Sequence, residues 1–173
     1  MHQIGLVFVQ KTSYFCEYSG NGRTFADLAM DNAKGKALVV KVTEGEIVIG
    51  ADTIVVLDNE IFGKPKDADE AGAMLRKLSG KKHEVFTGVC VKRGDKTWTA
   101  FERTDVFMRI LPEKEIDGYV ATGEPLDKAG AYGIQGKGAL LIEKIEGCYF
   151  NVVGLPLVCL RVLLEKAGFT FEY

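Results

Sequence analysis

No stretch of this sequence is long and apolar enough to cross a membrane. Its longest apolar runs, such as 37–40 and 139–142, are the size of a strand or of part of a helix, whereas a membrane-spanning helix needs about 20 apolar residues. The first ten residues also lack the basic start and apolar core of a secretion signal. These absences predict a cytoplasmic protein that makes no membrane contact.

Cysteine and histidine are scarce as well. The cysteines are scattered and form no C-x-x-C motif, and the two histidines lie far apart in the sequence. This spacing predicts reduced thiols and argues against a histidine-based metal site. The residues concerned are Cys16, Cys90, Cys148, Cys159, His2 and His83.

The chain has no excess of positive charge. It carries 22 Lys and Arg against 24 Asp and Glu, a net charge of −2 at pH 7, so a bulk attraction to nucleic acid is excluded. Hydrophobic residues make up 47% and charged residues 27% of the chain, which is typical of a globular protein and not of a disordered one. With 173 residues, we expect one domain over residues 1–173.

Glycine is the residue present in excess, at 20 of 173 positions, while proline occurs only 4 times. The glycines therefore do not mark a low-complexity linker. They indicate many tight turns and backbone that approaches a ligand closely.

Apolar periodicity predicts an α/β protein, with a mixed β-sheet and helices packed on it rather than a strict βαβ alternation. Thr24 and Asp67 are the expected N-caps of two helices. The predicted strands cover 4–9, 46–57, 60–62, 84–92, 97–110 and 139–145, and Tyr149 and Phe150 are also assigned to a strand. The predicted helices cover 24–41, 68–78, 112–122 and the residues from Pro156 to Gly168.

Asp52 is the residue that the local sequence most strongly indicates as part of a functional site. It stands in Gly50-Ala51-Asp52-Thr53, between two apolar strand segments, and a buried carboxylate must be paired, protonated or bound to a metal. A satisfied structural aspartate and a general base or metal ligand are equally compatible with this pattern.

Lys64 lies in Gly63-Lys64-Pro65, where proline forces the preceding residue into an extended conformation. A lysine held at such a corner suits a phosphate contact, and a solvated turn lysine is the alternative.

A glycine-rich loop over 123–138 holds the other candidates, Lys128 and Gln135. The amide of Gln135 has both a donor and an acceptor, which suits the edge of a nucleobase. Bonding within the loop itself is the alternative. The loop contains neither a P-loop nor a dinucleotide-binding motif.

Taken together and in order, these segments resemble the Maf family of nucleoside triphosphate pyrophosphatases. The resemblance runs from about Phe25 to the C-terminus. The matching segments are Ile49 to Val55 (IGADTIV), Gly63 to Pro65 (GKP), Leu75 to Val89 (LRKLSGKKHEVFTGV), Gly123 to Gly138 (GEPLDKAGAYGIQGKG) and Tyr149 to Pro156 (YFNVVGLP).

The resemblance implies an α/β fold like that of the inosine triphosphate pyrophosphatases, with a mixed twisted sheet, flanking helices and a cleft between two lobes. It implies hydrolysis of dTTP and UTP to the monophosphate and pyrophosphate, with Mg²⁺ or Mn²⁺, and leaves a homodimer open. Carried over by position, Asp52 is the proton acceptor and Glu17 is an acidic residue of the metal site. Thr53 and Gln135 set the base preference, and Lys64 binds phosphate. In the mechanism that we expect, Asp52 binds the metal or takes the proton of water, and Lys128 joins Lys64 in holding phosphate oxygens.

The sequence departs from the family pattern in two ways. The family's first strand and Ser-x-Ser-Pro-Arg-Arg loop have no counterpart here, so we expect about one strand and one helix to be missing. The family lysine that follows Leu28 by four residues is replaced by Asn32, and Lys34 or Lys36 is the candidate substitute.

These departures keep two other hypotheses open. One is a catalytically impaired nucleotide-binding regulator linked to arrest of cell division. The other is an α/β domain that binds only protein. Retention of Asp52, Lys64 and Gln135 favours the enzyme.

Overall fold

The structure, a computed structural model, describes residues 1–20, 22–43 and 45–172. None of the described helices is long and apolar enough to span a bilayer. The strands are β1 (Ile47–Leu57), β2 (Glu60–Phe62), β3 (Lys82–Arg93), β4 (Lys96–Met108) and β5 (Ile142–Glu146). The helices are α1 (Phe25–Val39), α2 (Ala68–Leu78), α3 (Glu113–Val120), α4 (Tyr149–Val153) and α5 (Leu157–Lys166).

The five strands form one sheet in the order β2-β1-β3-β4-β5. The predicted α/β class, with a sheet flanked by helices, is confirmed. The expected mixed sheet is corrected, since all four pairings among the described strands are antiparallel. Two of the pairings are tight hairpins, which permit no other direction. Asp58 and Asn59 make the first turn with φ of 50° and 68°, and Gly94 in the second has φ of 57°.

Helix α1 lies unusually close to the sheet. Its fully buried alanines, Ala29, Ala33 and Ala37, recur every four residues and so share one face. Opposite them are Gly50 on β1 and Gly88 on β3. A Cβ at Gly88 would lie 2.2 Å from the Ala29 carbonyl oxygen, and one at Gly50 would lie 2.3 Å from that of Ala33. The glycines therefore let the helix backbone rest directly on the strands.

The opposite face of the sheet carries the larger apolar clusters. Helix α2 buries Leu75 and Leu78 against β3 and β4. Helix α5 buries Leu160 and Leu163 against a second patch of the sheet. With α1 on one face and these helices on the other, both faces are covered.

Helix α2 matches its predicted bounds because the residues that cap its start are recognisable in the sequence. The Asp67 side chain accepts a hydrogen bond from the Glu70 backbone N–H at 2.8 Å, and the Glu70 carboxylate accepts from the Lys66 N–H at 2.8 Å. This is a reciprocal capping arrangement. Thr24 likewise caps α1, accepting from the Asp27 N–H at 3.1 Å.

The predicted strand over 4–9 is wrong. Residues His2–Ile4 form a short 3₁₀ turn, and no strand follows before β1 in the described residues. Val7 is 99% and Val9 is 82% exposed. A short apolar run becomes a strand only where a partner strand pairs with it, and here the sheet ends at β2 and β5.

The assignment of Tyr149 and Phe150 to a strand is also wrong, because both begin helix α4. The helix is short and ends at Gly154, whose φ of 105° only glycine adopts readily. The strand predicted at 139–145 is real but begins later, at Ile142, after a 3₁₀ segment over Gly136–Leu141.

Candidate active site

A cavity of about 650 Å³ opens beside β1, at the part of its edge that β2 leaves uncovered. Its volume lies in the range typical of small-molecule sites. The structure brings all of the residues proposed from sequence to this one cavity: Glu17, Asp52, Thr53, Lys64, Lys128 and Gln135.

Asp52 is 7% exposed and is fully engaged by helix α1. One carboxylate oxygen accepts from Lys36 Nζ at 2.5 Å, and the other accepts from Asn32 Nδ2 at 3.1 Å. Asn32 and Lys36 lie four residues apart on one helix face. The close approach of α1 to the sheet is what lets them reach the strand.

Lys36, and not Lys34, is the candidate substitute that reaches the cavity. Its side chain lines the cavity, whereas Lys34 is exposed and does not line it. The signal was the four-residue spacing from Leu28 through Asn32 to Lys36, which keeps the three on one side of the helix.

Glu17 also contacts the ammonium group of Lys36. Its Oε1 is 2.7 Å from Lys36 Nζ. The adjoining backbone is held by α1, because the Tyr18 N–H donates to Asn32 Oδ1 at 2.8 Å. Burial opposes the charged form of Lys36, but the hydrogen bonds to Asp52 and Glu17 raise its pKa above the ordinary value. Lys36 therefore stays positively charged at neutral pH.

The donor set for a metal ion is limited to carboxylates. The described residues contain no group of three or more His, Cys, Asp or Glu side chains that could hold a metal ion. Asp52 and Glu17, however, each lie one hydrogen bond from the same Lys36 Nζ. Two neighbouring carboxylates fit Mg²⁺ or Mn²⁺, which proteins commonly bind through one or two carboxylates plus substrate phosphates.

The two candidate phosphate lysines, Lys64 and Lys128, line the cavity from segments that are hydrogen-bonded to each other. The Gly130 N–H donates to the Gly63 carbonyl at 3.0 Å, which joins the glycine-rich loop to the corner that carries Lys64. Lys128 Nζ donates to Asp127 Oδ1 at 2.6 Å. This hydrogen bond, with a smaller contribution from the charge of Lys64, lowers the pKa of Asp127.

Gln135 lies between two anchored stretches of backbone. On one side, the Gly133 N–H donates to the Tyr119 hydroxyl at 3.3 Å. On the other, the N–H groups of Lys137 and Gly138 donate to the Glu124 carboxylate at 3.2 and 3.1 Å. The loop is therefore a closed structure with an exposed glutamine between its anchors. Sequence reasoning did not identify this role of Glu124.

Tyr132 forms part of the cavity wall and is fixed from behind by His83. The Tyr132 hydroxyl lies 2.6 Å from His83 Nε2. His83 is 1% exposed, as expected for a core residue, and burial lowers its pKa to about 4. It is therefore a neutral structural partner of the loop at neutral pH.

The fold and the cavity together define an α/β protein whose cleft offers lysines, carboxylates and an amide to a phosphorylated ligand. The sequence comparisons agree with this class. The chain belongs to the family described as Maf-like protein, whose profile matches residues 1–167.

Curated relatives span most of the chain. This chain is 51% identical over 175 aligned residues to a protein of Dictyoglomus turgidum named dTTP/UTP pyrophosphatase. The match covers 97% of this chain and 89% of the relative. Proteins of the same name from Bacillus cytotoxicus and Pelotomaculum thermopropionicum are 57% and 47% identical over 145 and 172 residues. These matches cover 83% and 98% of this chain, and 75% and 90% of the relatives.

Proposed function

We propose that this protein hydrolyses dTTP and UTP to the nucleoside monophosphate and pyrophosphate. The observation that carries the proposal is that one cavity is lined by Asp52, held by Lys36, together with Lys64 and Lys128. Relatives about 50% identical that are named dTTP/UTP pyrophosphatase support it.

Asp52 is the proposed proton acceptor. Cleavage of the α–β phosphoanhydride adds the oxygen of a water molecule to phosphorus, releases pyrophosphate and frees a proton that a base must take up. Lys36 and Asn32 hold the Asp52 carboxylate in one orientation. The carboxylate is thereby kept ready to accept a proton.

Lys64 and Lys128 are the proposed phosphate ligands. In the structure, Lys128 is paired with Asp127 and with the Glu124 carbonyl, so a triphosphate must compete with those partners. Glu17 and Asp52 would hold Mg²⁺ or Mn²⁺, which when bound neutralises phosphate charge and helps to activate water.

Thr53 and Gln135 are the proposed base-selecting residues. Both line the cavity, and together they offer hydroxyl and amide groups that can match the imide edge shared by uracil and thymine. A base with the wrong pattern leaves these groups unpaired, at a cost of about 1–3 kcal/mol each.

The decisive experiment measures pyrophosphate release from dTTP, UTP, CTP and GTP with Mg²⁺. We expect turnover of dTTP and UTP, and its loss in the Asp52→Asn variant while that protein remains folded. Asp58→Asn is the matched control, because Asp58 is exposed at the end of the same strand. A folded Asp52→Asn protein with a normal rate would refute the role of Asp52.

The same experiment separates the other two hypotheses. Nucleotide-dependent stabilisation without turnover would support the regulatory nucleotide-binding protein. An absence of both would support a domain that binds only protein. The presence of Asp52, Lys64 and Gln135 in one cavity favours the enzyme.

The domain organisation, the compartment and the assembly are proposals as well. A single domain over residues 1–173 is proposed because the strands form one continuous sheet with both faces covered. The four free cysteines suit a reducing compartment such as the cytoplasm. A homodimer is the proposed assembly to be tested by measuring the mass in solution.

A further inference from the structure

A buried hydroxyl stands directly behind Thr53. Thr87 on β3 pairs in register with Thr53 on β1 and is 0% exposed. The two Oγ1 atoms are 2.9 Å apart, and Thr87 Oγ1 also lies 2.9 Å from the backbone carbonyl oxygen of Asn151. Thr87 therefore connects the cavity wall to helix α4.

The direction of these hydrogen bonds follows from counting protons. A threonine hydroxyl has one proton to donate, and a carbonyl oxygen can only accept. If Thr87 donates to Asn151, it must accept the proton of Thr53, and both contacts are hydrogen bonds. If Thr87 donated to Thr53 instead, its contact with the carbonyl would be lost. The first arrangement makes more bonds in a buried site and is favoured.

The carbonyl that receives the Thr87 proton is held in place. The Asn151 side-chain amide donates to the Val85 carbonyl and to Thr104 Oγ1, each at 2.9 Å. The Gly154 N–H donates to the Asn151 carbonyl oxygen at 2.9 Å. The acceptor for Thr87 thus cannot turn away without breaking other buried bonds.

The consequence concerns the side of Thr53 that lines the cavity. Its proton is directed inward to Thr87, so its oxygen faces a ligand as an acceptor only. Uracil and thymine carry an N–H at N3, whereas N3 of cytosine is an acceptor without a proton. An acceptor-only hydroxyl that faces N3 can bond the first two bases and meets a lone pair on the third.

We propose that Thr87 is a positioning residue for base selection, which acts by fixing the Thr53 hydroxyl as an acceptor and so favours uridine over cytidine nucleotides. This inference rests on the proposed pyrimidine nucleotide function. It assigns discrimination between uracil and cytosine to a residue that does not line the cavity.

The test uses two substitutions of Thr87. Thr87→Val keeps the shape of the side chain but removes the hydroxyl, which frees the Thr53 proton to turn toward the cavity. We expect the UTP-to-CTP ratio of kcat/KM to fall at least fivefold. Thr87→Ser restores the hydroxyl and is expected to keep the wild-type ratio within about twofold. Thr87→Ala serves as a second hydroxyl-free variant if the valine protein does not fold.

Binding of the products provides a readout that does not depend on turnover. Dissociation constants for UMP and CMP, measured with wild type and both variants, should show the same change of ratio. A wild-type protein that binds UMP selectively but hydrolyses neither UTP nor dTTP would overturn the proposed function and leave the Thr87 inference testable through these constants.

Three results would overturn the inference itself. The first is a folded hydroxyl-free variant that keeps the wild-type ratio. The second is a Thr87→Ser protein that loses selectivity as fully as Thr87→Val, since that would point to packing rather than to the hydroxyl. The third is a wild-type protein that does not distinguish the two bases.

Discussion

At the scale of single residues, Lys36 has the most consequential contacts. Its ammonium joins Asp52, which is nearly buried, to Glu17, which is half-exposed. A buried carboxylate that loses its cation is left uncompensated, which costs far more than the loss of a surface pair. The stability and the reactivity of Asp52 therefore depend on the same side chain.

We predict that Lys36→Met lowers the free energy of unfolding by about 2 kcal/mol, because among the described residues Asp52 then keeps only the Asn32 side chain as a hydrogen-bond partner. In an Asp52→Asn background the same change should cost less, with a coupling of about 1–2 kcal/mol. Urea denaturation of the four proteins measures this. Lys34→Met, an exposed change on the same helix, should stay within about 0.5 kcal/mol of wild type, and additive effects at the coupled pair would contradict the prediction.

Gln135 is the second residue whose chemistry can be tested separately from its fold. We predict that Gln135→Glu changes the relative kcat/KM values for UTP, dTTP and GTP, because the carboxylate loses the amide donor. Melting temperature should change little, since the side chain is exposed. The exposed Gln10→Glu substitution is the control, and unchanged relative rates would show that Gln135 only completes the loop.

At the scale of elements, the approach of α1 to the sheet decides the geometry of the site. Gly50 and Gly88 leave no room for a side chain beneath the helix. Any outward shift of α1 would carry Asn32 and Lys36 away from Asp52. Packing and chemistry are thus linked through two strand glycines.

We predict that Gly88→Ala destabilises the protein by about 2–3 kcal/mol, because the new methyl group meets the backbone of α1 and forces overpacking. The pyrophosphate release rate of the folded fraction should fall as well. Gly118→Ala is the matched control, since Gly118 lies in helix α3 with nothing within 4 Å of an added Cβ. It should stabilise the protein by about 0.5–1 kcal/mol.

The two melting temperatures test this prediction. A Gly88→Ala protein as stable as wild type would show that α1 can shift freely. If it kept full activity after such a shift, the link between the helix position and Asp52 would be wrong.

At the scale of the whole molecule, His83 joins the start of β3 to the loop that walls the cavity. Burial lowers its pKa to about 4 in the folded state, against about 6.5 in an unfolded chain. The unfolded state therefore binds more protons between these two values. Stability contributed by this group is complete above about pH 6.5 and is lost as the pH falls toward 4.

We predict that lowering the pH from 6.5 to 4.5 reduces the free energy of unfolding of wild type by about 2 kcal/mol more than that of His83→Gln. Glutamine keeps a polar partner for Tyr132 but does not titrate. Urea denaturation at several pH values measures the difference. The curves of the two proteins should run parallel above pH 7, and parallel curves below pH 6.5 would contradict the prediction.

The sequence by itself determined the elements whose signals are local. Helix α2 was predicted at its observed bounds because Asp67 is its N-cap and bonds to Glu70, three residues further along the chain. The strands predicted at 46–57 and 60–62 likewise left Asp58 and Asn59 between them, where the structure has the turn. Local hydrogen bonds depend on near neighbours in the chain, so a sequence pattern is enough to identify them.

The family resemblance likewise named Glu17, Asp52, Thr53, Lys64 and Gln135, which the fold brings to one cavity together with Lys128. It could not choose between Lys34 and Lys36, because that choice depends on which helix face meets the sheet. Nor did it show the roles of Glu124 and Thr87, whose partners lie about 13 to 64 residues away in the chain.

Only the tertiary structure decided which apolar segments became strands. Residues 4–9 and Tyr149 have strand-like patterns, yet neither is in the sheet. A strand is stabilised by the partner that pairs with it, and partners are set by contacts distant in sequence. For the same physical reason, the direction of the Thr53 hydroxyl depends on Thr87 and Asn151, which no pattern around Thr53 reveals.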